Sequence, residues 1–151
     1  MKDFYLLGWR EFVALPELGI ENIKCKIDTG AKTSALHAFF VDPFMEDETK
    51  MIRFGIHPIQ DDIKTEIVCE AKVLDQRVVT SSNGERDLRY VIKTKIIIGS
   101  CTKDIEVTLT NRDNMRFRML LGREAMGDDF LVAPSLSFQD CKKIELVEGK
   151  K

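Results

Sequence analysis

A chain of 151 residues with 44% hydrophobic content can bury one core but not two, which sets the expectation of a single domain, 1–151, with one site. Charged residues make up 32% of it, yet the net charge is only −2, so the chain is not polybasic overall and global electrostatics give no argument for nucleic acid or a membrane; neither is expected as a direct partner. No window approaches the ~18 consecutive apolar residues of a spanning helix, and the N-terminus lacks a basic segment followed by an apolar one, so a cytoplasmic protein is expected.

In chain order, residues 23–27 alternate apolar and polar (Ile-Lys-Cys-Lys-Ile), the period of a half-buried strand, and lead straight into Asp28. Segments 66–73, 76–80, 89–98 and 104–109 are rich in β-branched residues and are separated by polar or glycine-containing breaks, which predicts short strands joined by hairpins. The sharpest turn signal is Ser82-Asn83-Gly84-Glu85, because Asn-Gly tolerates the positive φ of tight hairpins. An apolar strand at 117–121 is followed by Gly122 and a short helix at 123–126, with Gly127 as its stop. The tail 149–151 is expected to fray. These elements predict an all-β chain, a closed barrel or a sandwich, with one short helix in the C-terminal half. Cys25, Cys69, Cys101 and Cys141 are widely scattered and are expected to be free thiols.

The chemistry concentrates in Lys26-Ile27-Asp28-Thr29-Gly30-Ala31-Lys32-Thr33-Ser34, where a carboxylate follows a buried strand and precedes small, turn-compatible residues. Gly30 lets the backbone turn closely, and the Thr29 hydroxyl can bond to a neighbouring loop. Taken alone, Asp-Thr-Gly is also an ordinary turn containing an aspartate. The later run Phe117-Arg118-Met119-Leu120-Leu121-Gly122-Arg123-Glu124-Ala125-Met126 changes that balance. An apolar-Asp-Thr-Gly-Ala loop, a hairpin, and then an apolar-apolar-Gly-Arg strand with a helix, in this order, resemble the retropepsin fold. The chain is similar over nearly its whole length to one bacterial and archaeal group, the RimB-like retropepsin-like proteins. These carry the label ATP-dependent zinc protease and are often associated with RimK-type glutamate ligases. Leu7-Gly8-Trp9-Arg10-Glu11, Asp28 through Ala38, Ser81-Ser82-Asn83-Gly84 and Met119-Leu120-Leu121-Gly122-Arg123 carry the likeness.

The resemblance implies a retropepsin-like closed β-barrel and an aspartic-type peptidase with Asp28, Thr29 and Gly30 as the catalytic loop. A single Asp-Thr-Gly per chain implies a homodimer, since such hydrolysis needs two carboxylates sharing one proton. Ala31, Lys32 and Thr33 would present groups to an extended substrate. Ser82, Asn83 and Gly84, with 80–88 around them, would form a flap over the cleft, or else an ordinary exposed hairpin. Viral retropepsins usually place a second Asp shortly after the motif to pair with the later Arg. Lys32 stands there instead, so Arg123 is expected to lose that partner and the cleft to turn basic. Arg77, Arg86, Arg89, Arg116 and Arg118 would add to this or be solvated strand faces. A basic cleft suits an acidic peptide such as a polyglutamylated protein tail.

Zinc finds no ligand spacing here: no His-Glu-x-x-His occurs and His37 and His57 stand far apart. Of the two, His37 is better placed for a role near the cleft, and His57 reads as structural. Walker-type phosphate loops are absent, so no cofactor is expected and ATP would act through a partner ligase. Two functions from different classes follow: a dimeric endopeptidase trimming acidic tails, or a non-catalytic module that grips such tails or the ligase.

Overall fold

The computed structural model describes residues 2–80, 83–111 and 116–146. In chain order these form β1 (Lys2–Gly8), β2 (Arg10–Leu15), a 3-10 turn (Pro16–Leu18), β3 (Ile20–Ile27), β4 (Ser34–His37), β5 (Phe40–Glu46), β6 (Thr49–Ile56) and β7 (Ile67–Lys72). There follow β8 (Asp75–Thr80), β9 (Arg86–Ile98), β10 (Cys101–Thr110), β11 (Met119–Leu121), α1 (Arg123–Met126), β12 (Phe130–Ala133) and β13 (Lys142–Leu146). The expected 149–151 tail and Ser82 lie outside the described residues.

The central sheet runs β10-β4-β11-β3-β2-β9-β8, and an antiparallel β9–β10 pairing joins its ends into a closed six-stranded barrel, with β8 carried on the outside of β9. Closure removes the open edges that would otherwise invite association. β3 shows how sequence produces this: Ile23, Cys25 and Ile27 are buried while Lys24 and Lys26 turn outward, as a two-residue period requires. Inward residues from every barrel strand, among them Leu15, Ile23, Leu36, Ile92, Val107 and Met119, form one buried cluster. A second sheet, β5-β6-β7, adds Ile52, Phe54 and Ile56 to that cluster, and a third, β12-β1-β13, combines a parallel and an antiparallel pair.

The cysteine expectation is corrected in part. Cys25 and Cys69 are free and buried, whereas Cys101 and Cys141 form a disulfide across a Cα–Cα distance of 6.2 Å. The reason is topological: the segment leading into β13 folds back on the β9–β10 turn, where the Ser100 hydroxyl donates to the Cys141 carbonyl. Forty residues of separation hide that contact from any reading of spacing.

The segment before β13 is unusual in its backbone, with Phe138, Asp140 and Cys141 all at φ between 52° and 57°. Such left-handed geometry is unfavourable for residues with a Cβ and persists where neighbours impose it. The fully buried Glu11 carboxylate supplies the restraint, accepting the N–H groups of Gly8 (2.7 Å), Gln139 (2.8 Å) and Asp140 (2.9 Å). Three charge-assisted acceptances satisfy an anion that burial would otherwise penalise. The same segment ties to the barrel through Trp9 N–H to Leu136 O and Phe138 N–H to Arg10 O, and Trp9 O in turn receives Ile27 N–H, one residue before Asp28.

Candidate active site

Asp28 directly follows β3, and β11 lies beside it because β11 pairs parallel with β3 and antiparallel with β4. This register sets Asp28 N–H against Leu121 O at 2.9 Å. The carboxylate oxygen Oδ1 accepts Gly30 N–H at 3.0 Å, and Ala31 N–H closes the turn on Asp28 O at 3.2 Å. Helix α1 has no side chain capping its start. Its first free N–H groups are instead taken by the loop, Arg123 N–H by Ala31 O and Glu124 N–H by Lys32 O, so loop and helix satisfy each other. Buried Ser34 completes the joint: its hydroxyl accepts Gly122 N–H at 3.0 Å while its carbonyl accepts the Thr108 hydroxyl. Gly122 is required by proximity, since a Cβ there would lie 2.6 Å from Thr33 C and 2.7 Å from Thr33 O.

A groove of about 890 Å³ opens over this loop, with Asp28, Gly30, Ala31, Lys32 and Thr33 on one wall and β8 on the other. Arg77, Arg89 and Arg123 also line it. Thr29 is exposed beside the groove. Asn83, Gly84 and Arg86 sit at the exposed turn of the β8–β9 hairpin, outside the groove lining, with Gly84 at φ 86° as the turn signal requires. The groove also takes Thr80, the first residue of the expected flap, and Val78, Val79 and Glu124, which were not expected there. Val78 and Val79 precede that flap in β8, so extending it into its strand would have found them.

Charge in the groove is more balanced than its basic residues suggest. Arg77 donates to Asp75 at 3.2 Å and to Glu106 at 2.6 Å, and these two carboxylates hold its guanidinium above its ordinary pKa. Arg89 pairs with Asp87 at 3.2 Å, and Lys32 with Glu124 at 3.7 Å. Arg123, expected to lose an acidic partner to Lys32, spends its Nη1 on the Thr29 carbonyl at 2.9 Å and so ties α1 to the Asp28 loop. Arg118, just ahead of β11, is buried and Arg116 is exposed, neither in the groove lining.

The histidines do not fit zinc. His37 is buried on β4 with Nδ1 2.6 Å from the Thr110 hydroxyl, and His57 lies flat on Phe39 with Nε2 3.6 Å from Glu66. Among the described residues no group of three or more His, Cys, Asp or Glu side chains is placed to hold a metal. Neither histidine lines the groove. Among the described residues, no helix is long and apolar enough to cross a membrane.

A closed barrel with an Asp-Thr-Gly loop at a groove defines a retropepsin-like protein. The chain belongs to the RimB-like family, described as retropepsin-like aspartic endopeptidase RimB, which it matches over residues 6–143. It is also 47% identical over 134 residues to a probable alpha-L-glutamate ligase of Shewanella pealeana, covering 89% of this chain and 29% of that protein. A protein of the same name from Shewanella halifaxensis is 44% identical over 97% of this chain and 33% of its own length. The chain thus spans about a third of the length of these relatives. A crystal structure of a Legionella pneumophila protein of unknown function superposes with a TM-score of 0.74 at 26% identity, covering 90% of this chain and 98% of that one.

Proposed function

We propose that this chain is a homodimeric aspartic endopeptidase that shortens acidic, polyglutamate-type tails, working alongside a glutamate ligase of RimK type. The observation that carries the reading is the Asp28 loop: a half-buried carboxylate, oriented by Gly30 N–H, at the wall of a groove large enough for an extended peptide. One carboxylate cannot both activate water and protonate a carbonyl oxygen. Two copies meeting at a two-fold axis supply the pair, one Asp28 taking a proton from water while the other donates to the scissile carbonyl. Like charges ~3 Å apart cannot both ionise, so the pair holds one proton and titrates as a unit. Thr29, exposed beside Asp28, is free to bond across that axis. The relatives named glutamate ligases support an acidic substrate, as do the four cations of the groove wall. The chemistry runs through side chains of this chain alone, with no step through zinc.

The test is mass spectrometry of an oligoglutamate-tailed peptide incubated with wild type and with Asp28→Asn, each with and without chelator. Shortening by the wild type alone, unchanged by chelator, is expected. Sedimentation of the wild type with the peptide should show a dimer. Cleavage by Asp28→Asn, or a strict monomer that still cleaves, overturns the mechanism. Tail binding without cleavage by the wild type leaves the alternative, a module that grips acidic tails.

A further inference from the structure

Outside the groove, the outer face of β2 and β3 carries three cations at neighbouring register positions, Arg10, Lys24 and Lys26. Arg53, Arg77, Arg89 and Lys143 each pair with a carboxylate. Among the described residues, no ion pair reaches Arg10, Lys24 or Lys26, and the side-chain contacts of Arg10 and Lys24 are neutral. Arg10 donates to the Ser137 hydroxyl and lies 4.7 Å from the centre of the Trp9 ring and 5.0 Å from that of Phe138. Lys24 donates to Gln60 Oε1 and stands 5.5 Å from the Phe12 ring. Phe12, stacked on Phe138 at 4.9 Å, is 42% exposed, a large apolar area for a site ringed by charge. Next to Lys24, the Gln60 amide keeps Nε2 buried with no acceptor among the described residues, a donor in want of one.

Register makes this a line rather than a scatter. Arg10 pairs across the ladder with Lys26, and Phe12 with Lys24, so two rungs of outward side chains lead away from Asp28 along β3. Successive outward residues are spaced ~6.6 Å apart, the same interval at which an extended peptide presents alternate side chains. From Asp28 to Lys24 is four residues, or about 13 Å.

We infer that the outer face of β2 and β3 is a second binding track for an acidic peptide, continuing the Asp28 groove and holding the tail beyond its point of cleavage. Alternate carboxylates of the tail lie near Lys26 with Arg10 and then near Lys24, while their methylene stems cover Phe12. The unpaired cations supply the charge complementarity, and the aromatic rings under them hold the cations in place with little loss of side-chain freedom on binding. The track rests on the acidic-tail reading of the groove for its occupant, and it requires a tail reaching at least about four residues past the Asp28 loop.

The experiment is fluorescence anisotropy on the Asp28→Asn chain with labelled peptides of ten and of three glutamates, compared with the same chain carrying Arg10→Gln and Lys24→Gln. The double substitution should weaken binding of the ten-residue peptide about tenfold and leave the three-residue peptide unchanged. Arg53→Gln, whose cation is paired on another sheet, should change neither. If the double variant melts early, Lys26→Gln, at an exposed position, replaces it with an expected loss of about threefold. Equal long-peptide affinity in parent and variants, equal losses for both peptides, or no long-peptide binding by the parent overturns the track. Cleavage by the chain with Asp28 intact is read separately: cleavage without these affinity losses removes the track and keeps the peptidase, and the affinity losses without cleavage do the reverse.

Discussion

Replacing Glu11 by Ala tests whether the Asp28 loop is held from behind by a buried carboxylate. The change removes the acceptor of three main-chain N–H groups at once. The Gly8 N–H is buried and loses its partner outright, at about 2 kcal/mol, while those of Gln139 and Asp140 are part-buried and can turn to water, at about 0.5 kcal/mol each. Together these come to about 3 kcal/mol, before any relaxation of the left-handed residues Phe138 and Asp140 that the bonds restrain. For a chain of this size that lowers Tm by about 6–12 °C. Calorimetry on wild type, Glu11→Ala and Glu11→Gln measures it. The amide keeps the oxygen shared by Gly8 and Gln139 but sets an NH2 against Asp140 N–H, so it should fall between the other two. A Glu11→Ala protein melting within about 2 °C of wild type would refute the reasoning.

Gly122→Ala should destabilise the loop by about 2 kcal/mol or more, since its Cβ meets the backbone of Thr33 and Lys32 and backbone cannot swing aside; urea unfolding checks this, and a loss under about 0.5 kcal/mol counts against it. Removing the Cys101–Cys141 bridge, by reductant or by paired Ser substitution, should lower unfolding free energy by about 4 kcal/mol for a loop of this length, whereas unchanged urea curves with and without reductant would deny it a stabilising role. Burial pushes the Cys25 thiol up, with the neighbouring Glu11 charge adding to it, and pushes Cys69 up to about 12 from the ordinary 9.0. The folded state therefore keeps both protons while the unfolded chain loses them, so this stability is whole below pH 9 and declines from about pH 9 toward 12, by about 1.4 kcal/mol per pH unit per thiol. Denaturant midpoints from pH 8 to 11 should show the slope, and a Cys25→Val, Cys69→Val protein should lack it.

What local patterning encodes was legible. The alternation of 23–27 gives β3, Asn83-Gly84 gives the hairpin turn, and Gly122 and Gly127 bracket α1 at its observed bounds. Asp28 and residues 30–33, grouped by their place in the sequence, do line one groove together with Arg77, Arg89 and Arg123. What depends on distant partners was not legible. β5 carries Pro43 and exposed charges at a sheet edge, where proline is tolerated, so its composition reads as loop. β1 is specified by β12 and β13, more than a hundred residues on. The burial of Glu11 has little local sign, because two of the three N–H groups it accepts, those of Gln139 and Asp140, come from the far end of the chain. Arg77 reads as a free cation because Glu106 reaches it only through the β9–β10 fold-back.

The substitution-like departure at Lys32 shows where charge is spent on stability and where it is not. This loop is held by main-chain bonds, Asp28 to Leu121, Ala31 to Arg123 and Lys32 to Glu124, and by the side chains of Arg123 and Ser34, none of which involves the Lys32 ammonium. The Lys32–Glu124 ion pair, 3.7 Å long with side chains 74% and 50% exposed, contributes on the order of 0.5 kcal/mol or less. Lys32 can therefore leave Glu124 for a ligand carboxylate at almost no structural cost. Arg77, clamped by two carboxylates, would lose more by the same exchange. An acidic tail should accordingly meet its first cation at Lys32, beside Asp28, with Arg77 acting as a fixed wall. Lys32→Gln should then weaken tail binding more than Arg77→Gln while leaving Tm within about 1 °C of wild type, and the reverse order of affinities in the same anisotropy assay would show that the paired arginine carries the charge recognition.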